Sequence, residues 1–148
     1  MVEALQAATR VLAGIALRSL DGLGEEVSLP QYRVLAVLAD LGRARSGQVA
    51  RALGLQASTV TRLADRLVAS GHVARGSDPR HRGVVTLALT RDGQDLVDRV
   101  QQWRRGELSR ILASLAPADR EAATRALRQL VDAAGEGYGP VQHRLVLL

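Results

Sequence analysis

The sequence contains no cysteine, no phenylalanine and no lysine. Without cysteine the chain has no disulfide bond, no Cys-type zinc site and no thiol-based redox chemistry. Its aromatic residues are Tyr32, Trp103 and Tyr138, so the core must be built from Leu, Val and Ala, which favours closely packed helices. Because lysine is absent, every basic residue is an arginine, whose guanidinium binds phosphate through a fork of donors.

Long apolar runs and metal-binding spacings are also missing. The longest apolar run, Val11–Leu17, is too short to cross a bilayer, and no signal-peptide cleavage site stands out, so we expect a cytoplasmic protein. The histidines, His72, His81 and His143, are scattered along the chain, so we expect no metal and no other cofactor. No nucleophile–base pair or glycine-rich phosphate loop is present, which argues against an enzyme.

The length of 148 residues suits a single folded domain, and a hydrophobic share of 47% argues against disorder. Ser28, Ser46 and Thr90 are typical residues for the start of a helix, and Gly54 and Gly71 are typical of helix ends. The periodicity of the apolar residues predicts helices over residues 3–20, 29–39, 47–53, 57–70, 91–112 and 117–134.

The segment Ser46–Gly93 is the most informative, because its spacing predicts a helix-turn-helix followed by a β-hairpin. Two helices that cross closely need a small residue at the contact, a glycine at the turn and branched apolar residues beneath the second helix. Ala50, Gly54, Val60 and Leu63 stand where those demands fall. The second helix is therefore the predicted recognition helix of a DNA-binding motif.

Positive charge is concentrated in the same segment. Residues 43–91 hold nine Arg and two acidic residues, a net charge of +7, whereas the rest of the chain holds eleven Arg and thirteen acidic residues, a net charge of −2. A basic block centred on a helix-turn-helix is typical of proteins that bind duplex DNA.

The polar face of the recognition helix supplies candidate DNA contacts. Hydroxyl groups bond base edges or phosphates, and the Arg62 guanidinium can bind O6 and N7 of guanine together. Ser and Thr are also common in the first turn of any helix, and Arg66 can pair with a neighbouring acid instead of a phosphate. The candidates are Gln56, Ser58, Thr59, Thr61, Arg62 and Arg66.

Two β-rich segments, residues 72–75 and 84–89, predict a hairpin whose turn spans residues 76–83. The hairpin tip carries three further candidate DNA contacts, Arg80, His81 and Arg82. Arginine is attracted to narrow minor grooves, where the negative potential is concentrated. A solvated charged turn is the alternative, but the position directly after a helix-turn-helix favours a DNA-contacting wing.

Three segments, LPQYRVL (29–35), STVTRLADRL (58–67) and LALTRDG (87–93), together with the hairpin, resemble the multiple-antibiotic-resistance regulator (MarR) family of winged-helix transcription factors. The resemblance extends from about Leu5 to Val131. It implies a homodimer in which the first helix and the last two helices interlock and two winged lobes bind a pseudo-palindromic operator. It also implies repression that ends when a small, often aromatic, acidic ligand binds between the dimer region and the DNA lobe.

The resemblance implies ligand-site residues as well. Arg18, Tyr32 and Trp103 lie on helices that line the pocket in relatives, and the Arg18 guanidinium could hold a carboxylate. A structural or interface role for each of them is the alternative.

The chain departs from the family at the wing, where the usual Asp-Arg-Arg reads His81-Arg82-Gly83. In relatives that aspartate pairs with an arginine on the first wing strand, which corresponds to Arg75. Asp78 is the candidate substitute for the missing carboxylate.

The sequence therefore predicts a mainly α fold with a small β-hairpin wing. We expect one MarR-like domain over residues 1–148, with a winged helix-turn-helix lobe at 28–91 and a helical dimerisation region at 1–27 and 92–148. We expect a homodimer, because two recognition helices about 34–36 Å apart read a palindrome whereas one reads only a few base pairs. The expected function is a ligand-released repressor of transcription; the alternative is a winged-helix module for DNA or protein contact without an inducer.

Overall fold

Helices make up most of the fold, and one β-hairpin is inserted between the fourth and fifth of them. The computed structural model describes residues 1–22, 27–78 and 81–135, apart from the side chain of Arg82. In chain order the elements are α1 (Val2–Asp21), α2 (Leu29–Leu41), α3 (Ser46–Leu53), α4 (Ala57–Ala69), β1 (Val73–Asp78), β2 (His81–Leu89), α5 (Arg91–Ala113) and α6 (Pro117–Ala134). This order confirms the predicted mainly α fold with a hairpin wing. None of the described helices is long and apolar enough to cross a membrane.

The first turns of α2 and α3 are held by glutamine side chains that reach back to the residue before the helix. The backbone N–H of Ser28 donates to Oε1 of Gln31 at 2.9 Å, and the backbone N–H of Arg45 donates to Oε1 of Gln48 at 2.9 Å. The predicted start of α3 was wrong by one residue: Ser46 is its first helical residue and Arg45 precedes it. The first turn is held by the Gln48 side chain, which accepts the backbone N–H of Arg45, and not by a cap from the Ser46 hydroxyl.

The turn between α3 and α4 depends on Gly54, whose φ of 65° lies in the left-handed region that favours glycine. This conformation lets the backbone N–H of Leu55 donate to the Ala50 carbonyl at 2.9 Å and sends the chain into α4. The predicted helix-turn-helix is therefore confirmed.

The hairpin pairs β1 and β2 antiparallel, from Val73 opposite Leu89 to Asp78 opposite His81. Ala44, in the turn before α3, exchanges two backbone hydrogen bonds with Leu87, of 2.9 and 2.7 Å, and so adds a short third strand. The strands extend further toward the tip than predicted: β1 continues to Asp78 and β2 begins at His81, and these two residues lie opposite each other.

The hydrophobic core surrounds α2, which packs against α3, α4, α5 and β2. Six residues of this helix are buried, which confirms that it has almost no polar face: Tyr32, Val34, Leu35, Ala36, Val37 and Leu38. The neighbouring elements contribute aliphatic side chains: Val49, Leu53, Val60, Leu67, Leu87, Leu96 and Val100. Close packing of these side chains fixes α4 against the rest of the lobe.

The outer helices leave apolar surface uncovered. No residue of α6 is buried, although this helix carries an apolar stripe at helical spacing. The end of α5, from Leu108 onward, and the start of α1 are likewise exposed. The large exposed apolar residues of these three helices include Leu5, Val11, Leu12, Leu108, Ile111, Leu112, Leu127, Leu130 and Val131.

Candidate nucleic-acid interface

Helix α4 separates its polar and apolar residues onto opposite faces. Val60, Ala64 and Leu67 are buried in the core, and the candidate contact residues lie on the other face. Ser58, Thr61, Arg62 and Arg66 are exposed, Thr59 is half-buried, and Gln56 is exposed just before the helix. The structure therefore brings the predicted contacts of this helix onto one accessible surface.

The two arginines of this surface are available to bind a ligand. Arg62 and Arg66 form no ion pair with any residue that the structure describes. The hydroxyl of the exposed Thr61 donates to the Ala57 carbonyl at 3.0 Å, which leaves its oxygen able to accept a further hydrogen bond. Two free guanidinium groups beside exposed hydroxyls suit contact with phosphates and base edges.

An ion pair ties α4 to the hairpin. Nη2 of Arg75 in β1 donates to Oδ1 of Asp65, which lies on the polar face of α4 between Arg62 and Arg66. Arg75 thus pairs with a carboxylate of the recognition helix, whereas the sequence offered Asp78 as a possible substitute for the wing acid of relatives.

Asp78 instead joins the wing to the turn before α3. Its Oδ2 lies 2.5 Å from Nη2 of Arg45 and 3.8 Å from Nδ1 of His81. The imidazole Nδ1 of His81 also lies 3.4 Å from Nη2 of Arg45, so the three side chains form one cluster near the tip of the wing. Arg43 donates from Nη1 to the Ser77 carbonyl at 3.4 Å beside this cluster.

Sequence reasoning did not single out Arg43 and Arg45 as contact residues. The signal is the alternation of arginine and alanine over residues 43–45, because neighbouring residues of an extended strand point to opposite faces. In the structure Ala44 is buried and both arginines face solvent. Together with α4 they make a basic surface. Its exposed arginines are Arg43, Arg45, Arg62, Arg66 and Arg75, and its acids are Asp65 and Asp78.

The tip of the wing lies partly outside the described residues. Arg80 is one of the residues that the structure does not describe, and of Arg82 only the backbone, in β2, is described. The exposed His81 stands at the start of β2. The predicted DNA contacts of these three side chains stay predictions.

A second cluster of polar side chains lies inside the protein, where α1, α2 and α5 meet. Arg104 of α5 is buried, and its Cζ lies 5.1 Å from the centroid of the Tyr32 ring. Its Nε donates to Oγ of Ser19 at 2.7 Å and its Nη2 to the Ala16 carbonyl at 3.3 Å. Its Nη1 is buried without a hydrogen-bond partner among the described residues.

Burial disfavours the charged form of both Tyr32 and Arg104 and shifts the pKa of each group accordingly. It raises the pKa of the Tyr32 phenol, which the nearby Arg104 and Gln101 lower in part, and the hydroxyl has no hydrogen bond of good geometry within the described structure. Burial also lowers the pKa of the Arg104 guanidinium, against the attraction of Tyr32. The site thus holds a desolvated cation that no carboxylate of the described residues neutralises.

The predicted ligand residues do not form one cluster. Tyr32 lies beneath Arg104, whereas Arg18 is exposed and Trp103 keeps 41% of its surface exposed. Arg18 lies near Glu107, whose pKa is lowered chiefly by a hydrogen bond from Arg110. Sequence reasoning missed Arg104, although its position continues the apolar stripe of Leu96, Val97 and Val100 along α5.

Metal binding finds no support in the described residues, where no group of three or more His, Asp or Glu side chains could hold an ion.

Comparison with known proteins agrees with this geometry. A sequence model of the MarR family matches residues 26–82. The crystal structure of RV1404 from Mycobacterium tuberculosis superposes with a TM-score of 0.86 and 36% sequence identity, over 91% of this chain and 92% of that one.

Two proteins of Bacillus subtilis are also similar. The uncharacterised HTH-type transcriptional regulator YfiV is 30% identical over 66% of this chain and 61% of its own length, so the chain spans less than two thirds of that relative. The HTH-type transcriptional repressor MdtR is 29% identical over 88% of this chain and 83% of its own length. With its winged helix-turn-helix and its basic polar face, the chain belongs to the MarR family of DNA-binding transcription regulators, which are not enzymes.

Proposed function

We propose that this protein is a homodimeric repressor that binds a pseudo-palindromic operator and is released from it by a small acidic ligand. DNA binding is supported chiefly by the exposed polar face of α4, on which Arg62 and Arg66 form no ion pair with any described residue. MdtR, which is similar over most of its length, is named a repressor, and this supports the proposed direction of regulation.

Within this proposal, the recognition helix supplies base contacts and the wing supplies groove and phosphate contacts. Arg62 binds a guanine edge, and the hydroxyls of Ser58, Thr59 and Thr61 bond bases or phosphates. Arg66 binds a phosphate, as do Arg80 and Arg82 at the wing, unless they enter the minor groove. Gln56 and His81 complete the contact set at the two ends of the surface.

The homodimer is supported by the uncovered apolar surface of α1, α5 and α6. Helix α6 buries none of its residues within its own chain, although Leu127, Leu130 and Val131 form a stripe at helical spacing. Exposed apolar stripes on neighbouring helices are typical of an interface between two copies of a chain. The family resemblance independently implies interlocked terminal helices.

Ligand release is supported by the buried Arg104. A guanidinium taken out of water without a carboxylate partner is costly, and an anionic ligand would offset that cost. We place the acid group of the ligand near Nη1 of Arg104 and its ring beside Tyr32. Ligand bound there contacts both the dimer-side helices and α2 of the DNA lobe.

Fluorescence anisotropy tests the DNA-binding proposal. The probes are a duplex from upstream of the protein's own gene and a scrambled duplex of equal composition, each at two salt concentrations. We expect a preference of about 10³ or more for the upstream duplex. Arg128→Ala, on the polar face of α6, is the matched control and should bind as the unmodified protein does. Equal affinity for the upstream duplex and the scrambled one would contradict operator binding there.

Thermal melting with a panel of aromatic carboxylic acids tests ligand release. A ligand present at 100 times its dissociation constant stabilises the folded state by about 2.7 kcal/mol, which is readily measured. Each stabilising acid is then titrated into the protein–operator complex, where we expect it to lower the anisotropy. If acids stabilise the protein but leave the complex intact, the binding site exists and the regulatory proposal is wrong.

A further inference from the structure

The end of the recognition helix is bonded directly to the start of α5, although the whole hairpin lies between them in sequence. Oγ1 of Thr90 donates to the Gly71 carbonyl at 2.6 Å, and the backbone N–H of Thr90 donates to the His72 carbonyl at 3.0 Å. These two bonds hold Gly71 and His72, which follow α4, against the residue that caps α5.

The Thr90 hydroxyl has two partners at once. While it donates to Gly71, it accepts the backbone N–H of Gly93 at 3.1 Å, in the first turn of α5. One oxygen atom thus caps α5 and fastens the end of α4. This double use requires a side chain that is both a donor and an acceptor, which a hydroxyl supplies.

Glycine is required at position 93 because no side chain would fit there. A Cβ at this position would lie 2.1 Å from the carbonyl oxygen of His72 and 3.0 Å from its carbonyl carbon. Both atoms belong to the backbone, so they cannot turn aside as a flexible side chain would. The close approach of the two segments therefore depends on glycine at this position.

The turn on the α4 side is itself well defined. Gly71 has a φ of 80°, and the backbone N–H of His72 donates to the Leu67 carbonyl inside α4 at 2.9 Å. Oγ of Ser70 lies 2.8 Å from Nδ1 of His72. The two helices and the turn therefore form a stiff corner, which we call the α4–α5 joint (Gly71, His72, Thr90 and Gly93).

Helix α5 begins at the joint and leads to the proposed dimer surface. Helix α5 has 23 residues, a length of about 34 Å, and its second half carries exposed apolar residues such as Leu108 and Leu112. Its first half packs in the core against α2. A change of angle at the joint would therefore alter the direction of α4 relative to the surface that meets the second protomer.

We infer that Thr90 and Gly93 are positioning residues for operator recognition: the α4–α5 joint fixes the separation of the two recognition helices, and so the half-site spacing that the protein accepts. This inference rests on the proposed homodimer. It assigns to the joint a role beyond capping α5, because the bond from Oγ1 of Thr90 to Gly71 contributes nothing to the cap itself.

Three substitutions at Thr90 distinguish the capping of α5 from the hydrogen bond between Thr90 and Gly71. Thr90→Ser keeps both functions of the hydroxyl. Thr90→Asp keeps a favoured N-cap acceptor but has no proton to donate to Gly71, so α5 stays capped while the joint loses its bond. Thr90→Val removes both the cap of α5 and the hydrogen bond to Gly71. Because the Asp variant preserves the cap, it is expected to fold even if the Val variant does not.

The sequence has no cysteine, so one introduced cysteine gives one spin label per protomer. The exposed Ser58 lies at the end of α4 farthest from the joint, and Ser58→Cys therefore reports the angle of the helix through the distance between two protomers. Electron–electron double resonance without DNA should give one narrow distance distribution with native Thr90 and with Thr90→Ser. Thr90→Asp should broaden or shift it by several ångströms.

Operator binding supplies the second measurement, on unlabelled protein. With native Thr90, one base pair inserted between the half-sites should weaken binding at least tenfold. With Thr90→Asp the affinities for the original and the lengthened operator should differ less than threefold. Affinity for a scrambled duplex should stay within twofold of that of the protein with native Thr90. His72→Ala is the matched control, because it keeps the backbone carbonyl of the joint.

The outcomes are separable. A distance distribution of Thr90→Asp that superposes on that of native Thr90, or an unchanged preference for one spacing, would overturn the positioning role. The absence of any distance between protomers in labelled protein with native Thr90 would instead overturn the homodimer.

Discussion

Arg104 of α5 lies over the ring of Tyr32 of α2, with its Cζ 5.1 Å from the ring centroid. Both residues are buried, and they connect the helix that leads to the dimer surface with the central helix of the DNA lobe. The contact is a cation–π interaction, which gains strength when the cation is desolvated. Removal of the guanidinium from water opposes this gain, so the balance between the two terms decides what the pair contributes.

We expect Arg104→Met to leave the free energy of unfolding within about 1 kcal/mol of the unmodified protein, or to raise it. Replacement of a buried ionic group by an apolar side chain of similar volume is often neutral or stabilising. The hydroxyl of Ser19 keeps a partner after the change, because it also donates to the Ala16 carbonyl at 2.5 Å. Urea denaturation monitored by circular dichroism measures the difference.

The same variant should lose the stabilisation by aromatic acids that we expect for the unmodified protein. Arg105→Met, which removes an exposed guanidinium of the same helix, is the matched control for the loss of one arginine. A loss of more than about 2 kcal/mol in Arg104→Met without ligand would show that the bonds to α1 outweigh desolvation.

The buried Tyr32 phenol should make stability fall at alkaline pH. Burial raises the pKa of this phenol in the folded state, and an unfolded tyrosine titrates near pH 10. The stability that this shift contributes is therefore fully present below about pH 10 and is lost as pH rises through the folded-state pKa. Tyr32→Phe removes the titration, so its melting temperature should decline less between pH 9 and 11. Equal declines in the two proteins would contradict a raised pKa.

The helix-turn-helix could be predicted because its determinants are local. The spacing of Val60, Ala64 and Leu67 defines the buried face of α4, and a single glycine, Gly54, specifies the turn before it. Neither feature depends on where distant residues lie, so the accessible face of the recognition helix followed from the sequence.

The partners of charged residues could not be predicted in the same way. Arg75 is separated by ten residues from Asp65 but by only three from Asp78, yet it pairs with Asp65. The choice depends on how the hairpin packs beside α4. Arg104 is a similar case: its contact with Ser19 joins residues 85 positions apart, so its position on the apolar stripe of α5 did not identify its partner.

The terminal helices should hold two copies together through the stripe on α6. Leu130→Glu places a carboxylate on this stripe, and we expect the dimer to dissociate at micromolar concentration, because burial of an unpaired charge is costly. Leu130 is 42% exposed within its own chain, so the monomer itself should be little destabilised. Gln129→Glu adds the same charge on the polar face and is the matched control. Analytical ultracentrifugation distinguishes the outcomes, and a dimer that survives Leu130→Glu would place the interface elsewhere.

Arg62 and Arg66 should contribute to DNA binding in different ways, although both are exposed on α4. Arg62→Ala should weaken binding to the operator by roughly 1–3 kcal/mol and reduce discrimination at one base pair, as expected for loss of a guanine contact. Arg66→Ala should weaken binding to every duplex similarly and lower the slope of log affinity against log salt by about 0.9, as expected for loss of one phosphate contact.

Anisotropy titrations over a series of salt concentrations and single-base operator variants measure both effects, with Arg128→Ala on α6 as the control. If Arg62→Ala changed only the salt slope, Arg62 would be a phosphate contact. The base-reading role would then fall to the hydroxyls of Ser58 and Thr59, because these are the remaining donors in the first turn of α4.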